Sequence, residues 1–227
     1  MTLKAGAFLA IWHDIDPAGY LEWNRWHTIE HMPERIGIPG FLAGRRYMNP
    51  DAPRHVCFTM YEGTDLGVFN SPAYLERLNA PTEWTRAMAP AFRDFLRGAC
   101  ECTATRGTGI GGEILTLRYN RDPSSVAGTI NAAELVKRAT QVPGIVAAHV
   151  GQCAHVVTEI ETNERAMRSA TGENRYDAVA IFEAIGPTEL TAAREALNEI
   201  AADTVSGYVI DGDERYTLAY LLKQEDL

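Results

Sequence analysis

Alternating strand and helix signals predict an α+β chain built from two βαββαβ halves, and three observations carry that prediction. The same order of elements runs twice along the 227 residues, once over 5–105 and again from Gly112. The junction Ile38-Pro39-Gly40-Phe41-Leu42-Ala43-Gly44 returns as Val142-Pro143-Gly144-Ile145-Val146-Ala147-Ala148, a Pro-Gly stop followed by an apolar strand, as internal duplication would leave it. A hydrophobic content of 46% supplies enough apolar surface to bury a sizeable core.

In the first half, Ala5 to Ile15 is a strand, and Asp16 with Pro17 opens a helix that runs to Ile36 before Gly37 and Pro39-Gly40 stop it. Phe41 to Tyr47 and His55 to Glu62 form two strands around the turn Asn49-Pro50-Asp51-Ala52-Pro53. Ser71 to Phe95 is largely helical, with breaks near Pro81 and Pro90, and Ala99 to Thr105 is the closing strand. The second half offers strand Glu113 to Tyr119, helix Ala132 to Gln141, strands Ile145 to Val157 and Tyr176 to Ala184, helix Thr188 to Ala202, and a last strand near Tyr216 to Leu222. Each half is a ferredoxin-like split βαβ unit. Its sheet has one face without helices, which packing of the two sheets within one chain would bury. The resulting expectation is an intrachain pseudo-dimeric α/β barrel, with halves 1–106 and 107–227.

Composition removes several classes of function. Lys plus Arg number 21 against 30 Asp plus Glu, a formal charge of -9, and no basic stretch carries interleaved aromatics, so nucleic acid is not expected as a partner. No apolar run approaches a membrane span. The opening apolar run leads into His13, Asp14 and Asp16 and reads as a strand rather than a signal peptide. Four Cys in a chain this long do not make a disulfide scaffold, which fits a reducing cytoplasm.

The chemistry concentrates in Trp23-Asn-Arg-Trp26-His27-Thr-Ile-Glu30-His31-Met-Pro-Glu34-Arg35. At about 100° per residue, positions 23, 26, 27, 30, 31 and 34 share an arc of roughly 140°. Indole, imidazole and carboxylate on one stripe suit neither water nor a dry core, and they read as the wall of a pocket. Imidazole beside carboxylate suits acid–base work near neutrality.

The phrase Glu30-His31-Met32-Pro33-Glu34-Arg35, with Ile38-Pro39-Gly40-Phe41 and Arg45-Arg46-Tyr47, resembles the EthD-like branch of the dimeric α/β-barrel superfamily over about residues 5–105. The second half is similar in architecture only. The resemblance implies relatives that include muconolactone isomerases, polyketide cyclases, cofactor-free monooxygenases and haem-binding enzymes, so the fold alone selects no reaction. It places His31 where the family motif has its His; His27 stands where relatives more often carry an acidic residue.

The expectation is therefore a cofactor-independent proton-transfer enzyme, an isomerase, cyclase or lyase, acting on a small aromatic or carbonyl compound. His31 would be base or acid, supported by His27, Glu30 and Glu34. Trp23, Trp26, Arg46 and Tyr47 would bind substrate, with Trp12 and His13 at the end of the first strand, and homo-oligomers are compatible with the pattern. Two rivals are a non-catalytic ligand-binding or assembly module and a haem- or metal-dependent oxidoreductase. Cofactor-free oxygenation is a further possibility, its oxygen chemistry residing in an electron-rich substrate.

Other motifs carry less. His27-Thr-Ile-Glu30-His31 spells an inverted zinc-protease signature, but it needs a third ligand, nominally Glu76 or Glu83, and no metal site is expected. Gly107, Gly109 and Gly112 match a dinucleotide fingerprint but precede a strand, as a linker would. Cys100 and Cys102 are too isolated for a zinc ribbon. His55 reads as solvated, and Glu159 to Arg175 as a polar loop of the kind that can cover a pocket.

Overall fold

A computed structural model of the chain describes residues 3, 5–168 and 175–227. The first strand, β1 (Ala7–Ile15), is buried along almost its whole length. Asp16 ends it and caps the next turn, its Oδ1 accepting from the Ala18 amide at 3.0 Å, with Pro17 in the first helical position. The helix expected to run to Ile36 is three pieces: α1 (Tyr20–Trp26), a π-helical turn over His27–His31, and α2 (Met32–Ile36). Pro33 explains the widened turn. It has no N–H to give the Ile29 carbonyl, and its ring would strike that carbonyl in a regular α-helix.

Gly40, at φ +94°, turns the chain into β2 (Phe41–Met48), which pairs antiparallel with β3 (Cys57–Gly63) through a bulge between Phe41 and Ala43. Ser71 and Thr82 cap α3 (Pro72–Asn79) and α4 (Glu83–Met88). The helix expected to reach Phe95 stops earlier. Pro90 lies in a single 3-10 turn at Ala89–Ala91, after which β4 (Phe92–Gly107) begins.

The second half repeats the plan with β5 (Glu113–Arg121), β6 (Thr129–Ile130), α5 (Ala132–Ala139) capped by Asn131, and β7 (Ile145–Cys153). Gly144 takes φ +88°, and β7 carries a bulge between Ile145 and Ala147, reproducing the turn and bulge of β2. The strand expected to reach Val157 ends at Cys153, and the expected polar loop contains two short helices, α6 (His155–Thr158) and α7 (Asn163–Arg168); positions 169–174 of that expectation lie outside the described residues. Then come β8 (Ala178–Ala184), α8 (Pro187–Thr204), β9 (Val205–Ser206), which pairs with β6, and β10 (Tyr208–Lys223), longer than the expected last strand.

Hydrogen bonding orders the large sheet β1-β3-β2-β10-β5-β8-β7-β4 and closes it into an eight-stranded antiparallel barrel. The chain forms two compact units: Ala5–Cys100, the described part of Ala154–Arg175 and Ala219–Leu227 in one, and Glu101–Cys153 with Tyr176–Leu218 in the other. A single cut at 106/107 differs from this division because β4 and β10 each run through both units. The first unit has an apolar core of Leu9, Met32, Ile36, Phe41 and Phe69; the second is centred on Leu115, Leu117, Leu135, Phe182 and Leu197.

Each unit also buries a carboxylate against a basic side chain at matching register. Ala43 lies opposite Glu62 and Ala147 opposite Glu183. Two residues further along each strand, Arg45 pairs with Glu62 at 2.5 Å and His149 with Glu183 at 2.8 Å.

Gly44 lets α2 lie close on β2. A Cβ there would overlap Met32 Sδ and stand 3.2 Å from both Ile36 Cδ1 and Tyr61 Cδ1, so Gly44→Ala is expected to destabilise the protein by about 1–3 kcal/mol. Urea unfolding measures this; an unchanged midpoint would show that the helix can lift off the strand at no cost.

Candidate functional site

The first unit contains a cavity that opens to solvent. The helix α1, the π turn and α2 bring Trp26, His27, His31 and Arg35 to its wall, β1 contributes Ile11 and His13, and α6 and α7 supply Val157, Glu164 and Arg168. Phe92 and Phe95 at the start of β4, with Tyr61, Phe69 and Tyr74, give the wall its aromatic character.

Three imidazoles sit within this wall. His27 and His31 lie 5.4 Å apart by ring centroid, and His31 is 4.4 Å from Trp26. His13 is packed between Phe92 at 4.9 Å and Trp23 at 5.4 Å. All three are held neutral. Burial drives the His13 pKa down to about 3 against the opposing pull of Asp14. His27 and His31 lie well below the ordinary value, by burial first, then by Arg46 beside His27 and Arg35 beside His31.

The tautomer of His27 follows from its partner. Arg46 Nη1 lies 3.2 Å from His27 Nδ1, and a guanidinium cannot accept, so Nδ1 carries the lone pair and Nε2 the proton. Arg46 is fixed in turn by Thr28 Oγ1 at 3.2 Å and by the Trp23 and Tyr220 rings, each 5.4 Å from its guanidinium carbon. In the wall, His31 Nδ1 and the Tyr61 hydroxyl are buried without a hydrogen-bond partner.

The remaining sequence candidates divide. Glu30 acts as a strut, accepting from Trp26 Nε1 at 3.1 Å and from Thr82 Oγ1 at 2.6 Å, so its carboxylate fixes the indole and is not aimed at the imidazoles. Glu34 pairs with Arg35 at 3.1 Å, and burial raises its pKa. The two carboxylates of the six-residue stripe are thus engaged by Trp26, Thr82 and Arg35 rather than by the imidazoles. Trp23 is fully buried behind the cavity wall. Trp12 and Tyr47 do not line this cavity; both pack on Phe58, at 4.7 and 5.9 Å, on the opposite face of the β1–β3–β2 sheet from His13. His55, expected to be solvated, is buried.

Residues distant in sequence complete the wall. Arg35 makes a buried ion pair with Glu164 on α7 and lies 5.8 Å from the Tyr74 ring, while Arg168 lies over Phe95 at 4.3 Å. No periodicity links 35 to 164; the Asn163–Arg168 charge pattern was the available signal, and it reads equally well as a solvated loop.

Neither a family model nor a curated protein sequence matches this chain. Solved structures match it along nearly its whole length. An anthrone oxidase-like protein is 11% identical, with a TM-score of 0.62 over 100% of this chain and 98% of its own. A candidate monooxygenase from Fusobacterium nucleatum is 9% identical, with a TM-score of 0.54 over 96% and 95% of the two chains. A variant of chlorite dismutase from Candidatus Nitrospira defluvii is 10% identical, with a TM-score of 0.53 over 95% and 92%. The fold is the dimeric α+β barrel. These neighbours do not single out the EthD-like branch.

Replacing Glu164 with Gln leaves the buried Arg35 guanidinium short of a counter-charge, so Glu164→Gln is expected to cost about 3–5 kcal/mol of stability. Chemical denaturation measures it, and a loss below about 1 kcal/mol would show that Glu34 alone suffices for Arg35.

Proposed function

We propose that the chain is an oxidoreductase that binds a planar, electron-rich aromatic molecule in the first-unit cavity and oxidises it. The observation that carries this reading is an aromatic-walled cavity holding three uncharged imidazoles, with His31 Nδ1 and the Tyr61 hydroxyl left unpaired. Buried polar atoms without partners ask for a ligand that supplies them.

The isomerase, cyclase or lyase expected from the sequence is corrected on two grounds. Proteins that share this fold along nearly the whole chain are named as an oxidase-like protein, a candidate monooxygenase and a chlorite dismutase. His31, the intended proton carrier, is held neutral by burial and by Arg35; a group that resists protonation is a poor shuttle but a good ligand or hydrogen-bond partner.

A metal ion held by protein donors alone does not fit. Among the described residues no three His, Cys, Asp or Glu side chains converge, and neither Glu76 nor Glu83 completes a site with His27 and His31. A haem, if bound, would be held by the neutral His31 imidazole, whose Nδ1 has no hydrogen-bond partner, while Arg35 on the same wall is already engaged by Glu34 and Glu164. When bound, the haem would supply the iron redox chemistry. The protein's own residues would then bind and orient: His27 offers its Nε2–H to an oxygen of the bound molecule, Glu30 and Thr85 hold the Trp26 ring in place, and Phe92 and Phe95 keep water out.

Oxygen uptake with 1,8-dihydroxyanthrone, for the protein as purified and after addition of haemin, tests the proposal. Protein-dependent uptake under at least one condition is expected, reduced at least about tenfold by His31→Ala. Uptake equal to buffer under both conditions, or unaffected by His31→Ala, would overturn it.

A further inference from the structure

The second unit contains a polar chain that uses none of the cavity's residues. It starts at the exposed Thr105 on β4, whose Oγ1 lies 2.8 Å from His149 Nδ1. His149, fully buried on β7, continues it through Nε2 to Glu183 Oε1 at 2.8 Å. Glu183, also buried, is on β8, and its other oxygen accepts from the Gly111 amide at 2.7 Å. A hydroxyl, an imidazole and a carboxylate in hydrogen-bonded series form the arrangement in which a base activates a nucleophile and a third group orients the base.

The roles follow from proton count. The Glu183 carboxylate only accepts, so His149 donates from Nε2 and, in its neutral form, presents the Nδ1 lone pair to the Thr105 O–H. The duplicated half shows what is particular here. At the matching register it holds Arg45 against Glu62, and a guanidinium cannot take up a proton. The second unit has a proton acceptor where the first has a fixed cation, and the acceptor's Nδ1 lone pair faces the hydroxyl of the exposed Thr105. The approach is from solvent, since Thr105 and the following Arg106 are both exposed.

We propose that Thr105 is the nucleophile of a second reactive centre that accepts an acyl group from small activated esters. Thr105 Oγ forms a bond to the acyl carbon, the bond to the leaving aryl oxide breaks, and the hydroxyl proton passes to His149 Nδ1. The imidazolium is then held against Glu183 and gives its proton to the departing oxide. Water attack on the acyl-threonine releases the acid and restores the hydroxyl. The centre supplies nucleophile and base while the leaving group supplies the driving force, which confines the substrates to esters of acidic alcohols and phenols.

The test is exposure of the full chain to 4-nitrophenyl acetate, following nitrophenolate release and mapping acetyl groups by peptide mass spectrometry. Wild type is expected to carry acetyl on Thr105, the exposed Thr105→Val variant to lose that adduct with a matching loss of release, and Thr105→Ser to retain both. Glu183→Gln, where it folds by circular dichroism, is expected to slow acetylation of Thr105. Absence of acetyl from Thr105 in wild type, or release unchanged in Thr105→Val, would overturn the proposal.

Discussion

An imidazolium in the first-unit cavity would stand in an apolar wall with arginines for company, and that constraint organises the site. Burial is the largest influence on His13, His27 and His31, and the charges next in weight at His27 and His31 are Arg46 and Arg35, both of which oppose protonation. Those arginines are themselves held in place by structure. Arg35 is tied to Glu34 and Glu164, and Arg46 lies between the Trp23 and Tyr220 rings. The cavity's chemistry therefore depends on cations whose positions are fixed by carboxylates and rings from α7, β10 and the first helix. Stability is linked to the same groups. A buried imidazole with a depressed pKa contributes stability that is complete above the unfolded value of about 6.5 and is lost as pH falls, because the unfolded chain takes up a proton that the folded chain refuses. For His13 that window extends down to about 3.

Duplication sets the frame in which these sites differ. The Pro-Gly turn, the bulge that follows it and the inward carboxylate recur in both units at matching positions. A repeated backbone leaves each half free to fill the same buried position differently, with Arg45 in one and His149 in the other. One pair carries a guanidinium and the other an imidazole.

Much of the fold was legible because duplication and periodicity are local signals. The strands, their Pro-Gly junctions and the capping residue Asp16 act on their immediate neighbours, and a linear reading reaches them. The site was legible only in part. A regular 100° helix puts Glu30 and Glu34 beside the histidines, but Pro33 forces a π turn, and each carboxylate finds a partner elsewhere. Trp12 and Tyr47 lie off this cavity; strand alternation fixes relative faces without saying which face a helix will cover. Arg35 with Glu164, and Thr105 with His149 and Glu183, join residues 129, 44 and 34 positions apart in the chain; long-range pairs of this kind leave no periodic trace.

The most direct test of the neutral-imidazole cavity is a long-range nitrogen–proton NMR titration of the histidine side chains, from about pH 7 to about pH 5, assigned with single-histidine variants. His13, His27 and His31 should show no protonation over that range, and His27 should show the Nε2–H tautomer that Arg46 imposes. Titration of any of the three near the ordinary value of about 6.5, or an Nδ1–H tautomer at His27, would contradict the account.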